Sequence, residues 1–245
     1  MPDGTPVLLL TGASRGIGHA TVKKFSDCGW RVLTLSRHAF DPRCPWKGGE
    51  RNHIQLDLAD ISTIEAAMPN IRAITGGRLD ALINNAAISP KHSSGGKITS
   101  LEMGYRDWLH IFNVNFFAAI ALAQGLSDHL IASQGSIVNM TSIVGSRVHP
   151  FASAAYATSK AALAALTREM ANDLGRSGVR VNAVSPGEID TAILSPGTAE
   201  FAERQIPMRR LGRTKEVADL LYFLCSQDAS YITGSEVHID GGQRV

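Results

Sequence analysis

The sequence predicts an α/β fold: one doubly wound domain over residues 1–245, with a parallel sheet covered by helices on both faces. Short apolar runs alternate with longer stretches of helical periodicity throughout. The runs are nearly continuous Val, Ile and Leu, as strands buried on both sides must be. A glycine-rich turn stands directly between the first run and the first helical stretch. A chain of 245 residues fits one such domain, because doubly wound sheets exceed the usual domain size without splitting.

In chain order, strands are expected at Val7 to Leu10, Arg31 to Leu35, His53 to Leu56, Ala81 to Asn84, Ser136 to Met140, Arg180 to Val184 and Glu236 to Ile239. Helices are expected near 16–28, 61–74, 105–131, 155–175 and 214–225. Ligands of open parallel sheets sit beyond the carboxyl ends of the strands, so the loops after each run are where chemistry belongs. Pro90 to Ser100, with Ser93, Ser94, Gly95 and Gly96, reads as an enlarged loop after the fourth strand.

Composition narrows the function. With 24 Lys+Arg against 22 Asp+Glu, a net charge of +2 makes no electrostatic case for nucleic acid or an anionic membrane. Cys28, Cys44 and Cys225 are odd in number and lack C-x-x-C spacing, which argues against a disulfide framework and against a zinc site, so no metal is expected. From Met1 through Asp3 and Gly4 the chain runs straight into an apolar strand. The expectation is no signal peptide, no spanning helix and a cytoplasmic protein.

The turn after the first strand is Thr11-Gly12-Ala13-Ser14-Arg15-Gly16-Ile17-Gly18. Glycines allow a tight turn and let backbone N–H groups approach a pyrophosphate, while a helix N-terminus supplies partial positive charge. The spacing G-x-x-x-G-x-G differs from the commoner G-x-G-x-x-G, and the strand before and helix after carry the signal. The second strand ends in Ser36-Arg37, where an NAD-selective site would place an acid for the ribose 2′-hydroxyl. Arg37, helped by Arg15, can instead fork onto a 2′-phosphate, so NADP(H) is expected over NAD(H). Two solvated arginines are the alternative. Asp57, followed by Leu58, is placed for the adenine edge, or for a helix cap in competition with Asp60. Asn84-Asn85-Ala86-Ala87 offers small residues against which a cofactor can lie.

Tyr156 and Lys160 are i, i+4 neighbours on one helical face, and Ser142 stands fourteen positions upstream, just after a strand. Hydride transfer to a carbonyl leaves an alkoxide that needs a proton, and the reverse needs a base near neutrality. Free tyrosine, with a pKa near 10, is a poor base. A Lys cation at about 4 Å and an effective dielectric near 20 favours phenolate by roughly 4 kcal/mol, about three pKa units. The expectation is therefore a Tyr156 of depressed pKa, aimed by Ser142. Asn115, inside the long helix, can hold a water against Lys160, or simply satisfy a kink.

These residues resemble the short-chain dehydrogenase/reductase family, members akin to 3-oxoacyl-[acyl-carrier-protein] reductases included. The likeness runs through Gly12, Gly16 and Gly18; Asp57; Asn84-Asn85-Ala86; Asn115; Ser142; Tyr156 with Lys160; Pro186-Gly187, Ile189 and Thr191; and Ile232-Thr233-Gly234 to Asp240-Gly241-Gly242. It implies a Rossmann-like seven-stranded parallel sheet, an NAD(P) cofactor and an Asn-Ser-Tyr-Lys tetrad. It further implies a backbone near Ile189 that meets the nicotinamide amide, Thr191 beside the pyrophosphate, and a homotetramer, or a homodimer, built through the 105–131 and 155–175 helices. The Ala of Asn-Asn-Ala-Ala, where the family has Gly, and the enlarged 90–104 loop depart from the pattern.

The resemblance places a substrate lid at about 188–210 and offers Val144, His149, Phe151, Glu188 and Ile193 to a small-molecule carbonyl or alcohol substrate. Solvated loop side chains are the alternative for His149 and Glu188. An acyl-carrier substrate needs basic residues, and 127–134 has none, leaving Arg168 and Arg176. A non-catalytic dinucleotide-binding regulator would be expected to lack Tyr156 or Lys160, and both are present.

Overall fold

The seven expected strands form one parallel sheet in the computed structural model, which describes residues 4–42, 44, 48–93, 95–192, 194 and 197–245. Met1, Asp3, Ser94 and Ile193, named above, lie outside the described residues. The strands are β1 (Val7–Thr11), β2 (Arg31–Ser36), β3 (His53–Gln55), β4 (Ala81–Asn84), β5 (Ser136–Met140), β6 (Arg180–Pro186) and β7 (Glu236–Ile239). Their spatial order is β3-β2-β1-β4-β5-β6-β7, so the winding reverses between β1 and β4.

Strand alternation divides the core in two. Leu9, Leu33, Leu82, Ile137 and Val181 face one side, against Ile64 and Ile71 of α2 (Ile61–Thr75) and Leu122 of α4 (Ala118–Gly125). Leu8, Leu10, Val32, Ile83, Val138 and Val184 face the other, against Phe25 of α1 (Gly16–Asp27) and Leu221 of α8 (Thr214–Cys225). Both faces of β1 are thus dry, which is why its sequence reads as unbroken Leu.

The cap competition resolves in favour of Asp60, whose carboxylate accepts from the Ser62 amide at 2.9 Å and opens α2. The Asp57 carboxylate accepts from the Ala59 amide at 3.0 Å, and its carbonyl from the Thr63 hydroxyl at 2.9 Å.

One expectation is corrected. The single helix expected over 105–131 is α3 (Tyr105–Phe112), a wide π-turn at Asn113–Phe117, α4, and α5 (Ser127–Ser133) after a break at Leu126. Asn113 and Asn115 are weak helix formers whose side chains bond backbone groups outside the helix, Asn113 to the Ala59 carbonyl at 2.8 Å. α6 (Ala154–Gly175) and α8 match expectation closely, and α7 (Thr198–Gln205) lies within the 188–210 segment. The enlarged loop packs Ile88, Ile98 and Trp108 around Met103, Ile111 and Ala155. Among the described residues no single helix is long and apolar enough to cross a membrane.

Two surface carboxylates make the stability of this fold depend on pH in the acid range. The Arg72 guanidinium holds Asp128 at about 2, and the side chain of Arg210 with the amide of Arg213 holds Glu216 at about 2. Both are depressed on folding, so their stabilisation is complete above the unfolded carboxyl range and is lost as pH falls through about 2. Asp128→Asn is expected to lower Tm at pH 7 by a few degrees, because an exposed pair is worth at most about 1 kcal/mol. The difference from wild type should shrink below pH 4 in thermal melts followed by circular dichroism.

Candidate active site

A cleft of about 600 Å³ opens at the carboxyl ends of the strands, beside the reversal between β1 and β4. It runs from Arg15, Arg37 and Asp57 at one end to Tyr156 and Lys160 at the other. Every residue expected to hold a cofactor lines it except Asn84; of the expected catalytic four, Asn115 stands behind its wall.

The glycine turn is shaped by close approach. Gly12 has φ +72 and Gly16 φ +55, the left-handed region that favours glycine. A Cβ on Gly18 would lie 2.1 Å from the Gly12 carbonyl oxygen, so only glycine lets α1 start against the turn. The Thr11 hydroxyl oxygen accepts from the amides of Asn85 and Ala86 at 3.0 and 2.9 Å, binding β4 to the turn. Asn85 donates to the carbonyls of Thr11 and Gly12 at 2.9 and 3.0 Å.

Asn84 is therefore a correction. It ends β4 on the same face as Leu82, is buried, and donates to the Asn139 side chain at 2.8 Å. The residue beyond the strand, Asn85, is the one on the cleft wall. A one-residue step at a strand end moves a side chain to the other side, and the repeated Asn in the sequence hides which of the two emerges.

At the far end, Ser36 donates to the His38 carbonyl at 2.9 Å and Arg37 reaches the His38 ring at 3.3 Å. Arg15, Arg37 and Asp57 are exposed on the cleft rim.

At the reacting end, α6 carries Tyr156 and Lys160 one turn apart, and the loop after β5 brings Ser142 to the same cleft wall, its hydroxyl accepting from the Val144 amide at 3.5 Å. Lys160 is 2 % exposed; its Nζ donates to the Met140 carbonyl at 2.6 Å and sits 5.7 Å from the Tyr156 ring centroid. The expected depression of Tyr156 is not what the structure shows. Burial pushes the half-buried Tyr156 up to about 12; the Ser142 hydroxyl pulls it back and the Glu188 charge adds to the rise. Burial likewise brings Lys160 down to about 7. Burial penalises the charged form of both groups. Burial thus weakens the cation meant to favour phenolate, and its Nζ is directed to a backbone carbonyl.

Asn115 lies in the π-turn, the kind of helix distortion that concentrates at functional sites. Its carbonyl accepts from the Ile88 amide at 2.9 Å, and its amide donates to the Ile88 carbonyl at 3.0 Å and to the Ser159 hydroxyl at 3.1 Å. The side chain ties the loop after β4 to the residue preceding Lys160, and both of its N–H groups are engaged.

Beyond Tyr156 the wall is polar and aromatic. His149, 5 % exposed, packs between Phe151 and Phe201, each centroid 5.7 Å away, and its Nε2 lies 3.1 Å from a Glu188 carboxylate oxygen. That approach is off line, so Nε2 makes an electrostatic contact without an aligned hydrogen bond. Reading the sequence missed Lys91 and Gln243. Lys91 lines the cleft from the enlarged loop, and the Gln243 side chain accepts from the Glu188 amide at 3.2 Å. Neither sits in a local pattern that would have found it.

A glycine turn at the winding reversal of a parallel sheet, opening on a cleft where Ser142, Tyr156 and Lys160 meet, defines a dinucleotide-dependent oxidoreductase. Residues 12–244 match the family model described as enoyl-(acyl carrier protein) reductase. Protein FixR of Bradyrhizobium diazoefficiens is 54 % identical over 98 % of this chain and 87 % of its own. The 3-oxoacyl-[acyl-carrier-protein] reductase FabG of Aquifex aeolicus is 34 % identical over 96 % of each. The crystal structure of a short-chain dehydrogenase/reductase family oxidoreductase from Brucella ovis, in complex with a partially ordered NAD, is 55 % identical with a TM-score of 0.84, over 96 % of this chain and 99 % of that one. The chain belongs to the short-chain dehydrogenase/reductase family.

Proposed function

We propose that this oxidoreductase prefers NADP(H) and transfers a hydride between nicotinamide and a carbonyl or secondary alcohol carbon of a small molecule. The observation that carries the reading is Tyr156, sharing the cleft wall with Ser142 and one helical turn from buried Lys160, at the end of a cleft that reaches Arg15 and Arg37.

The cleft's size and its glycine-lined floor fit a dinucleotide. The turn amides and the α1 N-terminus would hold the pyrophosphate with Thr191; Asp57 and Leu58 would flank adenine; Pro186, Gly187 and Ile189 would face the nicotinamide. A bound nicotinamide supplies or accepts the hydride. The chain handles the proton. Ser142 holds the substrate oxygen, and the Tyr156 O–H delivers its proton to that oxygen as negative charge develops. Lys160, whose pKa burial brings down towards neutrality, is placed on the same helix face to restore it. The sum is carbonyl plus NADPH plus a proton giving alcohol plus NADP⁺, and the reverse. The segment 188–210, with α7, serves as substrate lid.

A panel of ketones, acyl thioesters, sugars and secondary alcohols, read by nicotinamide absorbance, tests the reaction class; no turnover of any would refute it. For the cofactor, Arg37→Glu is expected to cut kcat/KM with NADPH about 10–100-fold relative to NADH, the worth of a charge-assisted hydrogen bond. Equal wild-type efficiency with both nucleotides would remove the NADP(H) preference, and the NAD in the Brucella ovis relative makes that arm necessary. Reduction of 3-oxoacyl carrier substrates is the competing reading, since FabG proteins are among the relatives. Negligible turnover of acetoacetyl thioesters removes it. We expect a homotetramer, or a dimer, through α4 and α6, checked by light scattering.

A further inference from the structure

We propose that the substrate end of the cleft is built for a short bipolar molecule: a hydroxy or oxo acid that also carries an ammonium or hydroxyl donor, its carboxylate at Lys91 and its donor at Glu188. The inference rests on the oxidoreductase reading and names the substrate class of that site.

Three loops of one rim supply the groups. Lys91 comes from the loop after β4, His149 from the loop after β5 and Glu188 from the loop after β6, and all three line the cleft with Tyr156. Their charges are of both signs within one small space, since Lys91 feels the Glu188 charge while burial works against its own.

Glu188 is the informative group. Its side chain is 14 % exposed and its charge opposes ionisation of Tyr156. By the same sign it opposes the negative charge that develops on a carbonyl oxygen held by Tyr156 and Ser142. For a neutral ketone or an acyl thioester, Glu188 is a hindrance. A substrate ammonium, or a hydroxyl donating to the carboxylate, offsets that charge and turns the hindrance into an anchor.

His149 adds a polar group to the same wall, beside Glu188. It is 5 % exposed, wedged between two phenyl rings, and its Nε2 has no aligned hydrogen-bond partner among the described residues. Its Nδ1 accepts from the Phe151 amide at 3.4 Å, so Nε2 carries the N–H, and an acceptor oxygen of the ligand at that wall would relieve this buried donor. An alkyl chain laid along Lys91, His149 and Glu188 would instead desolvate all three without replacing their partners. A simple monoanion would suit Lys91 and be repelled by Glu188. A bipolar acid satisfies both.

A matched set on one carbon skeleton tests this: threonine with both groups, 3-hydroxybutanoate with the carboxylate alone, 3-aminobutan-2-ol with the ammonium alone and butan-2-ol with neither, each as all stereoisomers. Binding to the protein loaded with NADP⁺ is read by saturation-transfer NMR, and kcat/KM by absorbance. Threonine is expected to exceed each single-charge compound by about tenfold or more. Glu188→Gln should shrink the threonine to 3-hydroxybutanoate ratio about tenfold, and Lys91→Gln the threonine to 3-aminobutan-2-ol ratio. Equal binding of all four, or preference for butan-2-ol, overturns the inference, even if Tyr156→Phe still abolishes turnover and so upholds the oxidoreductase. The expected binding order with turnover indifferent to Tyr156→Phe upholds the bipolar pocket and refutes the mechanism.

Discussion

Tyr156→Phe is expected to lower kcat for carbonyl reduction by about 10²–10⁴-fold, the range that a positioned general acid supplies. The ring stays, so packing in α6 is kept, and only the phenolic O–H on the cleft wall is lost. Cofactor binding should therefore remain within a few-fold of wild type, as titration of NADPH fluorescence would show. The state of Tyr156 predicts a directional pH dependence as well. A phenol pushed up to about 12 carries its proton throughout the physiological range. Reduction, which needs that proton, should be nearly flat with pH, whereas oxidation, which needs phenolate, should rise as pH increases. Turnover unchanged in Tyr156→Phe, or oxidation that falls with rising pH, would refute the assigned proton donor.

Lys160→Met should abolish most of the activity and make the protein more stable at the same time. A lysine that burial brings from 10.5 down to about 7 opposes folding at every pH below its unfolded pKa, by up to on the order of 5 kcal/mol at low pH. The sign follows from proton counting. Between about 7 and 10.5 the unfolded chain binds more protons than the folded one, so wild-type stability climbs with pH across that window. Methionine matches the length of the side chain without the charge. The Met140 carbonyl loses its donor, which returns roughly 1–3 kcal/mol of the gain. A net increase of about 2–4 kcal/mol is expected near pH 6, or several degrees in Tm for a chain of this size. The difference from wild type should narrow as pH rises from about 7 towards 10.5. A Tm that falls in Lys160→Met at pH 6 would mean that the ammonium is held charged and paired, and it would remove the account of a lysine whose pKa burial lowers.

The elements were legible because their signals are local. Continuous apolar runs in β1, β4 and β5 and the glycines at 12, 16 and 18 need only a window of a few residues. The helix over 105–131 was misread for the opposite reason. Asn115 breaks its regularity by bonding Ile88, 27 positions away, and Ser159, 44 positions away, and no periodicity reports a partner at that separation. The doubled asparagine at 84 and 85 failed similarly, because the end of β4 is fixed by pairing with β1 and β5.

By itself the sequence determined a parallel α/β sheet, the phosphate-binding turn after its first strand and the Ser142, Tyr156 and Lys160 set, since each is a pattern of residue type and spacing. Tertiary structure alone decided the strand order that brings these loops to one rim, the replacement of Asn84 by Asn85 on the cleft wall, and the meeting of Lys91, His149 and Glu188. It also decided protonation. The spacing of Tyr156 and Lys160 predicted a cation that lowers a phenol, but the ionisation of each depends on how much water surrounds it, and burial set Tyr156 up to about 12 and Lys160 down to about 7. Desolvation is a property of everything packed around a group, and i, i+4 spacing contains none of it.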